Sequence, residues 1–373
     1  MNNNEYTFKT QEFSLNVGPQ HPSTHGVFRL RLQLDGETIV KSESIVGYLH
    51  RGIEKLAESR NYRQFIPYTD RMDYLSAMLT NLGYVQTVEK LMGIEVPERA
   101  EYIRVIMAEL QRIASHMIAI GSHVQDVGVT GSSIFIYCLN DRERIVNLFE
   151  MASGARLTYS YMRIGGVAYD LPPEFIPELK KFLDEVPASI EDYWALSSKN
   201  EIFQSRLKNV GVISAEDALN WGLSGPNLRG SGVNYDLRKA EPYGIYDRFD
   251  FDVPVAENGD SFDRFICRGA ELEQSIKIIK QALKDIPEGE IQADLPRSIK
   301  PPSGEVYHQI ESSRGILGYF IVSDGSQNPY RIHVRRPSFI NLIPLDEILK
   351  GLKVADAISI LGSLDIVLGE VDN

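Results

Sequence analysis

The chain has 373 residues, enough to bury a large core and hold two or three sub-domains, and its 43% hydrophobic, 9% aromatic and 24% charged content is ordinary for a soluble globular protein. A net charge of −12 and a pI near 5.2 argue against nucleic acid as a partner, because phosphate binding needs a basic face. No apolar run approaches a membrane span and the start lacks the marks of a signal peptide, while Cys138 and Cys267 form no C-x-x-C pair; a cytoplasmic-side protein follows, with no disulfide framework, thiolate metal site or iron–sulfur cluster of its own.

Residues 13–48 read as a β-hairpin region. It contains the loop Gly18-Pro-Gln-His-Pro-Ser-Thr-His-Gly26, in which two prolines fix φ and the flanking glycines permit sharp turns. A loop histidine is commonly exposed and inert, but a loop this constrained usually positions something, and His21 and His25 are its candidates. An imidazole can donate a hydrogen bond and release a proton near neutral pH, and a carboxylate partner raises its basicity. Phe28, Leu30, Leu32 and Leu34 then alternate with Arg29, Arg31 and Gln33, which predicts a half-buried strand. Asp35-Gly36 supplies a turn before Thr38–Val40.

Helical periodicity takes over from about Arg51 to Phe203, with segments near 51–64, 72–92, 98–127, 141–161 and 174–197 separated by Gly, Pro or Asn-Asp. Tyr74 sits in Arg71-Met-Asp-Tyr-Leu75 at the opening of the second segment. Its hydroxyl is a neutral donor with an ordinary pKa of about 10, although a tyrosine here is more commonly core. In the third segment Ile106, Leu110, Ile113, Met117, Ile120 and Val124 form an apolar stripe. Glu109, Arg112, His116 and His123 share a different face, with Asp126 beside them. Ala108, Ser115, Ala119 and Ser122 lie on that side too, so another element is expected to pack there and the ionisable groups must be satisfied internally. A partly wetted face is the alternative reading, and a buried network there could be structural. His, Tyr and Asp are candidates here, and the residues alone do not prove that they meet.

Residues 205–265 read as an ordered irregular stretch. A helix follows at about 266–285, with Leu272, Ile276, Ile279 and Leu283 on one face, and then the link Pro296–Pro302. Strand-like runs at Glu305–Glu311, Gly318–Ser323 and Tyr330–Arg335 precede a helical segment at 345–361. The pattern predicts an α+β fold as one integrated unit: 1–50 an N-terminal β region with the loop, 51–285 a helical core, and 286–373 a C-terminal β/α region.

The runs GPQHPSTHGVFRL (18–30), GYLHRGIEK (47–55), YTDRMDYL (68–75) and RAEYIRVIMAELQRIASH (99–116) resemble the 49-kDa quinone-site subunit, also called the D subunit, of NADH–quinone oxidoreductase, respiratory complex I. The likeness continues through MRIGGV (162–167), SGVNYDLRKAEPY (231–243), YDRFDFDVP (246–254), RRPSFINL (335–342) and LGEVD (368–372), and so covers nearly the whole chain.

The resemblance implies a nickel–iron hydrogenase large-subunit-like fold and a subunit, without independent activity, of a proton-translocating complex. It makes His25 and Tyr74 the two contacts to a quinone headgroup, Asp126 the carboxylate paired with His25, and Arg51 a neighbour of a partner's terminal 4Fe-4S cluster. No cofactor belongs to the chain alone, and quinone is the substrate. The implied partners are the cluster-bearing B subunit, the C and I subunits, and the membrane-embedded H subunit, at the cytoplasmic side of the cell membrane. The metal-holding cysteines of the related hydrogenases fall near Asp73, Ser76, Val367 and Glu370, none of which is a thiolate. Thr158 stands where many relatives carry histidine, and Asn373 where arginine is common. The alternative is a structural scaffold of the same complex or of a related membrane-bound hydrogenase-like complex.

Overall fold

The computed structural model describes residues 12–128 and 132–373. At the N-terminus, β1 (Glu12–Val17), β2 (Arg29–Asp35) and β3 (Thr38–Ile45) form an antiparallel sheet in the order β1-β2-β3. The predicted alternation holds: Leu30, Leu32 and Leu34 are buried while Arg31 and Gln33 are exposed. Together with Phe28 and Ile39 they pack on Leu342, Leu345, Ile360, Leu364 and Leu368, so helices from the far end of the chain cover the first sheet.

The larger core is helical. Its main members are α1 (Tyr62–Thr69), α2 (Ala77–Met92), α3 (Glu98–Val127), α4 (Ser132–Ser153), α5 (Phe175–Leu196) and α6 (Ser261–Asp285), with shorter helices between them. Local chemistry sets several ends. Asn61 and Gln64 form a capping box on α1, Asp260 accepts the Asp263 N–H at the start of α6, and Gly128 closes α3 at φ 75°. Helix α3 is buried over most of its circumference, flanked by α4, α6 and α2. A second antiparallel sheet, β4 (Gly304–Ser312), β5 (Gly315–Ser323) and β6 (Arg331–Arg335), lies on α2 and adds Ile310, Leu317, Tyr319 and Ile321 to this core. Near the C-terminus, α7 (Val354–Leu364) packs on α3, and the short α8 (Leu368–Val371) follows. No helix among the described residues is long and apolar enough to cross a membrane.

Several predicted boundaries move, and the segment predicted at 51–64 is two helices, Ile53–Ala57 and α1, separated by residues 58–61. The fourth helix starts at Ser132 and ends at Ser153, rather than spanning 141–161. The last helical segment, predicted at 345–361, is broken into Leu345–Ile348 and α7, with Gly351 at φ 79° in the break between them. Tyr74 does not open a helix: residues 70–76 are turns, the Asp73 carboxylate accepts the Leu75 N–H at 3.1 Å, and α2 begins only at Ala77.

Candidate functional site

The loop before β2 is held rigidly. Gly18 has φ 83°, and a Cβ there would sit 1.9 Å from the Phe28 carbonyl oxygen. A 3₁₀ turn, Pro22–Thr24, is capped by His21, whose Nδ1 accepts the Ser23 N–H at 3.2 Å. That contact accounts for His21, which is exposed. His25 closes the turn in the left-handed region at φ 54°, an uncommon conformation for a residue with a Cβ. It turns its ring away from solvent, and Nε2 pairs with the Asp126 carboxylate at the end of α3. Burial alone would lower the His25 pKa, but the bond and charge of Asp126, helped by Asp365, outweigh it and hold the imidazole above its usual 6.5.

Close approach of α7 makes this pair possible. A Cβ on Gly362 would lie 2.9 Å from Asp126 Oδ2 and 3.1 Å from His123 Cδ2, so only glycine lets α7 come this near to α3. Helix α8 then links the two remaining parts. Leu368 packs beneath Gly26, next to His25, while Gly369 faces the 71–74 turn. A Cβ on Gly369 would meet the Met72 carbonyl oxygen at 2.7 Å and the Tyr74 ring at 3.2 Å. His25 and Tyr74 therefore belong to segments that touch consecutive residues of one helix. Burial raises the Tyr74 pKa and Asp73 adds to this, against Arg314 and Arg51. Arg51 reaches the same turn and donates to the Arg71 carbonyl at 2.6 Å.

The polar face of α3 is buried, and its members fare differently. His116 Nε2 meets Glu271 on α6 at 2.8 Å, yet burial keeps the ring's pKa below its usual value. His123 is pushed down to about 3 by burial and by Arg268, and it packs edge-on against Phe203 and Phe265 as a neutral ring. Glu109 binds Arg112 at 3.2 Å, Arg238 at 3.1 Å, Tyr246 at 2.6 Å and Ser275 at 2.6 Å. Glu271 continues to Arg229, which also holds Glu311 at 2.8 Å. The predicted packing partners of this face are thus α6 and α7.

Residues 126–301 and 295–373 match the family described as "Respiratory-chain NADH dehydrogenase, 49 Kd subunit". The chain belongs to this family. It is 62% identical over 366 residues to a protein of Desulforamulus reducens named as the D subunit of NADH-quinone oxidoreductase, covering 98% of this chain and 100% of that protein. Proteins of the same name from Clostridium beijerinckii and Bacillus anthracis are 60% and 54% identical, over 97% and 98% of this chain and 98% and 99% of theirs. The mixed helix-and-sheet architecture and the 49-kDa family membership together give the α+β, hydrogenase-large-subunit-like fold class.

Within that fold, the positions that the resemblance aligns with metal-holding cysteines carry another arrangement. Asp73 and Ser76 both accept from the Arg314 guanidinium, at 2.6 and 3.2 Å, and Glu370 accepts the Ser338 N–H at 3.0 Å. Among the described residues, no group of three or more His, Cys, Asp or Glu side chains is placed to hold a metal ion. Both cysteines are buried, with thiols pushed up to about 12 by burial. An open cleft of about 560 Å³ bounded by Gln86, Glu101, Tyr243 and His308 shares no residue with the His25 constellation. Arg314 and Asp365 escaped sequence reasoning: each is a single charged residue beside small or apolar neighbours, with no periodic pattern to mark it.

Proposed function

We propose that this chain builds one wall of the quinone-reduction site of a proton-translocating NADH–quinone oxidoreductase, beside the terminal 4Fe-4S cluster of a neighbouring subunit. The His25–Asp126 pair carries the proposal, because a largely buried imidazole with a raised pKa and a carboxylate behind it is suited to give up a proton inside a protein. A quinone takes up two electrons and two protons. With Nε2 committed to Asp126, Nδ1 of His25 is the atom to meet one quinone carbonyl, and the Tyr74 hydroxyl donates to the other. Electrons come from the partner's cluster, near Arg51, so the chain needs no cofactor of its own.

The cluster-bearing B subunit, the C and I subunits and the membrane-embedded H subunit complete the surroundings and enclose the rest of the ring. The chain itself sits peripherally at the cytoplasmic side of the cell membrane. The four non-cysteine positions Asp73, Ser76, Val367 and Glu370 favour this function over a hydrogenase large subunit.

Tyr74→Phe tests the proposal. It deletes one hydroxyl and leaves the ring that packs on Gly369, so quinone reductase activity should fall several-fold to about tenfold while the assembled complex keeps its cluster signals. Normal quinone kinetics in that variant would favour the scaffold alternative.

A further inference from the structure

Hairpin tips ordinarily lie at the surface, where water satisfies their backbone. The tip joining β4 to β5 does the opposite. Ser312 pairs with Gly315, and the two residues between them, Ser313 and Arg314, are 0% and 1% exposed. The tip is also gripped on its backbone. Asn341 donates to the Arg314 carbonyl at 2.8 Å, Ser224 accepts the Ile316 N–H at 3.0 Å, and Gly315 at φ 129° fits so tightly that a Cβ would sit 2.4 Å from Ser224 Oγ. Nothing in sheet formation requires this burial, which delivers one guanidinium to the centre of the molecule.

That guanidinium spans the two halves of the proposed site. Nη1 donates to Asp73 at 2.6 Å and lies 3.2 Å from the hydroxyls of Ser76, Ser115 and Ser313. Nη2 donates to Asp365 at 3.2 Å. Asp73 immediately precedes Tyr74. Asp365 ends α7, the helix whose Gly362 abuts Asp126, and its charge acts on His25. Glu370 also faces the cation; burial and then Asp73 push its carboxyl up to about 7. Arg268 stands 3.6 Å from Asp365 on the other side.

We propose that Arg314 is a positioning residue, a strut that holds the Tyr74 turn and the His25–Asp126 pair at the separation needed to grip both carbonyls of one quinone ring. This assignment depends on the quinone site proposed above. A planar fork is required because two carboxylates must be bound at once from fixed directions, and an ammonium on a flexible stem does not supply that geometry.

Arg314→Lys in the full complex is the test, with cluster signals and NADH oxidation by an artificial acceptor reporting assembly. The expected result is a quinone-reductase kcat lowered about tenfold or more, with the quinone KM within about threefold, because alignment and not capture is lost. Should that variant fail to assemble, Asp365→Gly carries the same expectation, since glycine accepts the left-handed φ of 52° and the far end of the strut is lost. Because Asp365 also faces Arg268 and raises the His25 pKa, its kcat is compared at each protein's own pH optimum. A kcat within twofold of wild type in the assembled variant overturns the proposal. So does a loss of kcat in step with the cluster signals in both variants, which assigns Arg314 to assembly alone. Normal quinone kinetics in Tyr74→Phe would remove the site itself; a slow Tyr74→Phe beside a normal Arg314→Lys would remove only the strut.

Discussion

His25 has the conformation and partner of a group placed for chemistry. A non-glycine residue at positive φ costs free energy, and this one is held there by a turn whose every residue is occupied: His21 as cap, Pro22 in the first position, and the Thr24 hydroxyl 2.7 Å from the His21 carbonyl. The sign of its pKa shift fixes a pH dependence. The protonated form persists above the ordinary 6.5, so stability contributed by the pair is fully present below 6.5 and is lost as pH rises through the raised value. A reaction needing the protonated donor fades over the same range. Asp126→Asn removes the largest raising influence and leaves burial to dominate, which puts the His25 pKa below 6.5. The alkaline limb of the quinone-reductase pH profile should move to lower pH in that variant; a limb that stays in place would show that His25 is not the group titrating. At this scale the sequence was informative about His25 because proline and glycine mark a rigid loop. It was silent about Arg314, whose partner Asp73 lies 241 positions away.

Among the elements, α3 was the most legible. Charged residues interleaved with Ala and Ser on one face predict close packing over buried ionic groups, and α6 and α7 supply it. The turn holding Tyr74 was not legible, since apolar spacing does not separate a well-ordered turn from the first turn of the helix that follows it. The α3–α7 contact yields a test in which two effects oppose each other. Gly362→Ala gains about 1 kcal/mol of helix propensity, but the new methyl must clear Asp126 Oδ2, a site within 2.9 Å of it. The shifts needed are small and fall on the Asp126 carboxylate at a helix end and, by less, on the buried His123 ring, so the thermal midpoint should change by only a few degrees. The first of these shifts pulls the carboxylate off His25, and quinone turnover should fall several-fold. Unchanged turnover with unchanged stability would mean that the His25–Asp126 contact tolerates displacement and does not govern the rate.

Across the whole molecule, long-range packing and buried charge tie distant segments together. The N-terminal sheet shares its core with helices from the last part of the chain, a pairing of distant segments that local sequence patterns do not encode. Beneath it, carboxylates and guanidinium groups alternate from His116 through Glu271, Arg229 and Asp236 to Arg238, Glu109 and Arg112, all essentially inaccessible to water. Arg229 is its central member, serving Glu271, Glu311 at 2.8 Å and Asp236 at 3.7 Å. Those carboxylates raise the Arg229 pKa despite its burial, while Glu271 is held below the usual carboxylate range, so both are charged at neutral pH. A buried network of this kind adds little net stability over an apolar core, but removing one partner strands the others. Arg229→Met should therefore cost about 3–5 kcal/mol, a large share of the 5–15 kcal/mol that holds a typical domain together. The thermal midpoint and the yield of assembled complex should both drop sharply. Adding Glu271→Gln should recover part of the loss, because one stranded charge is removed while an amide can still bond to His116. Near-wild-type stability in Arg229→Met would mean that the carboxylates around it are neutral, and the chain of charge linking α3, α6 and β4 would have to be redrawn.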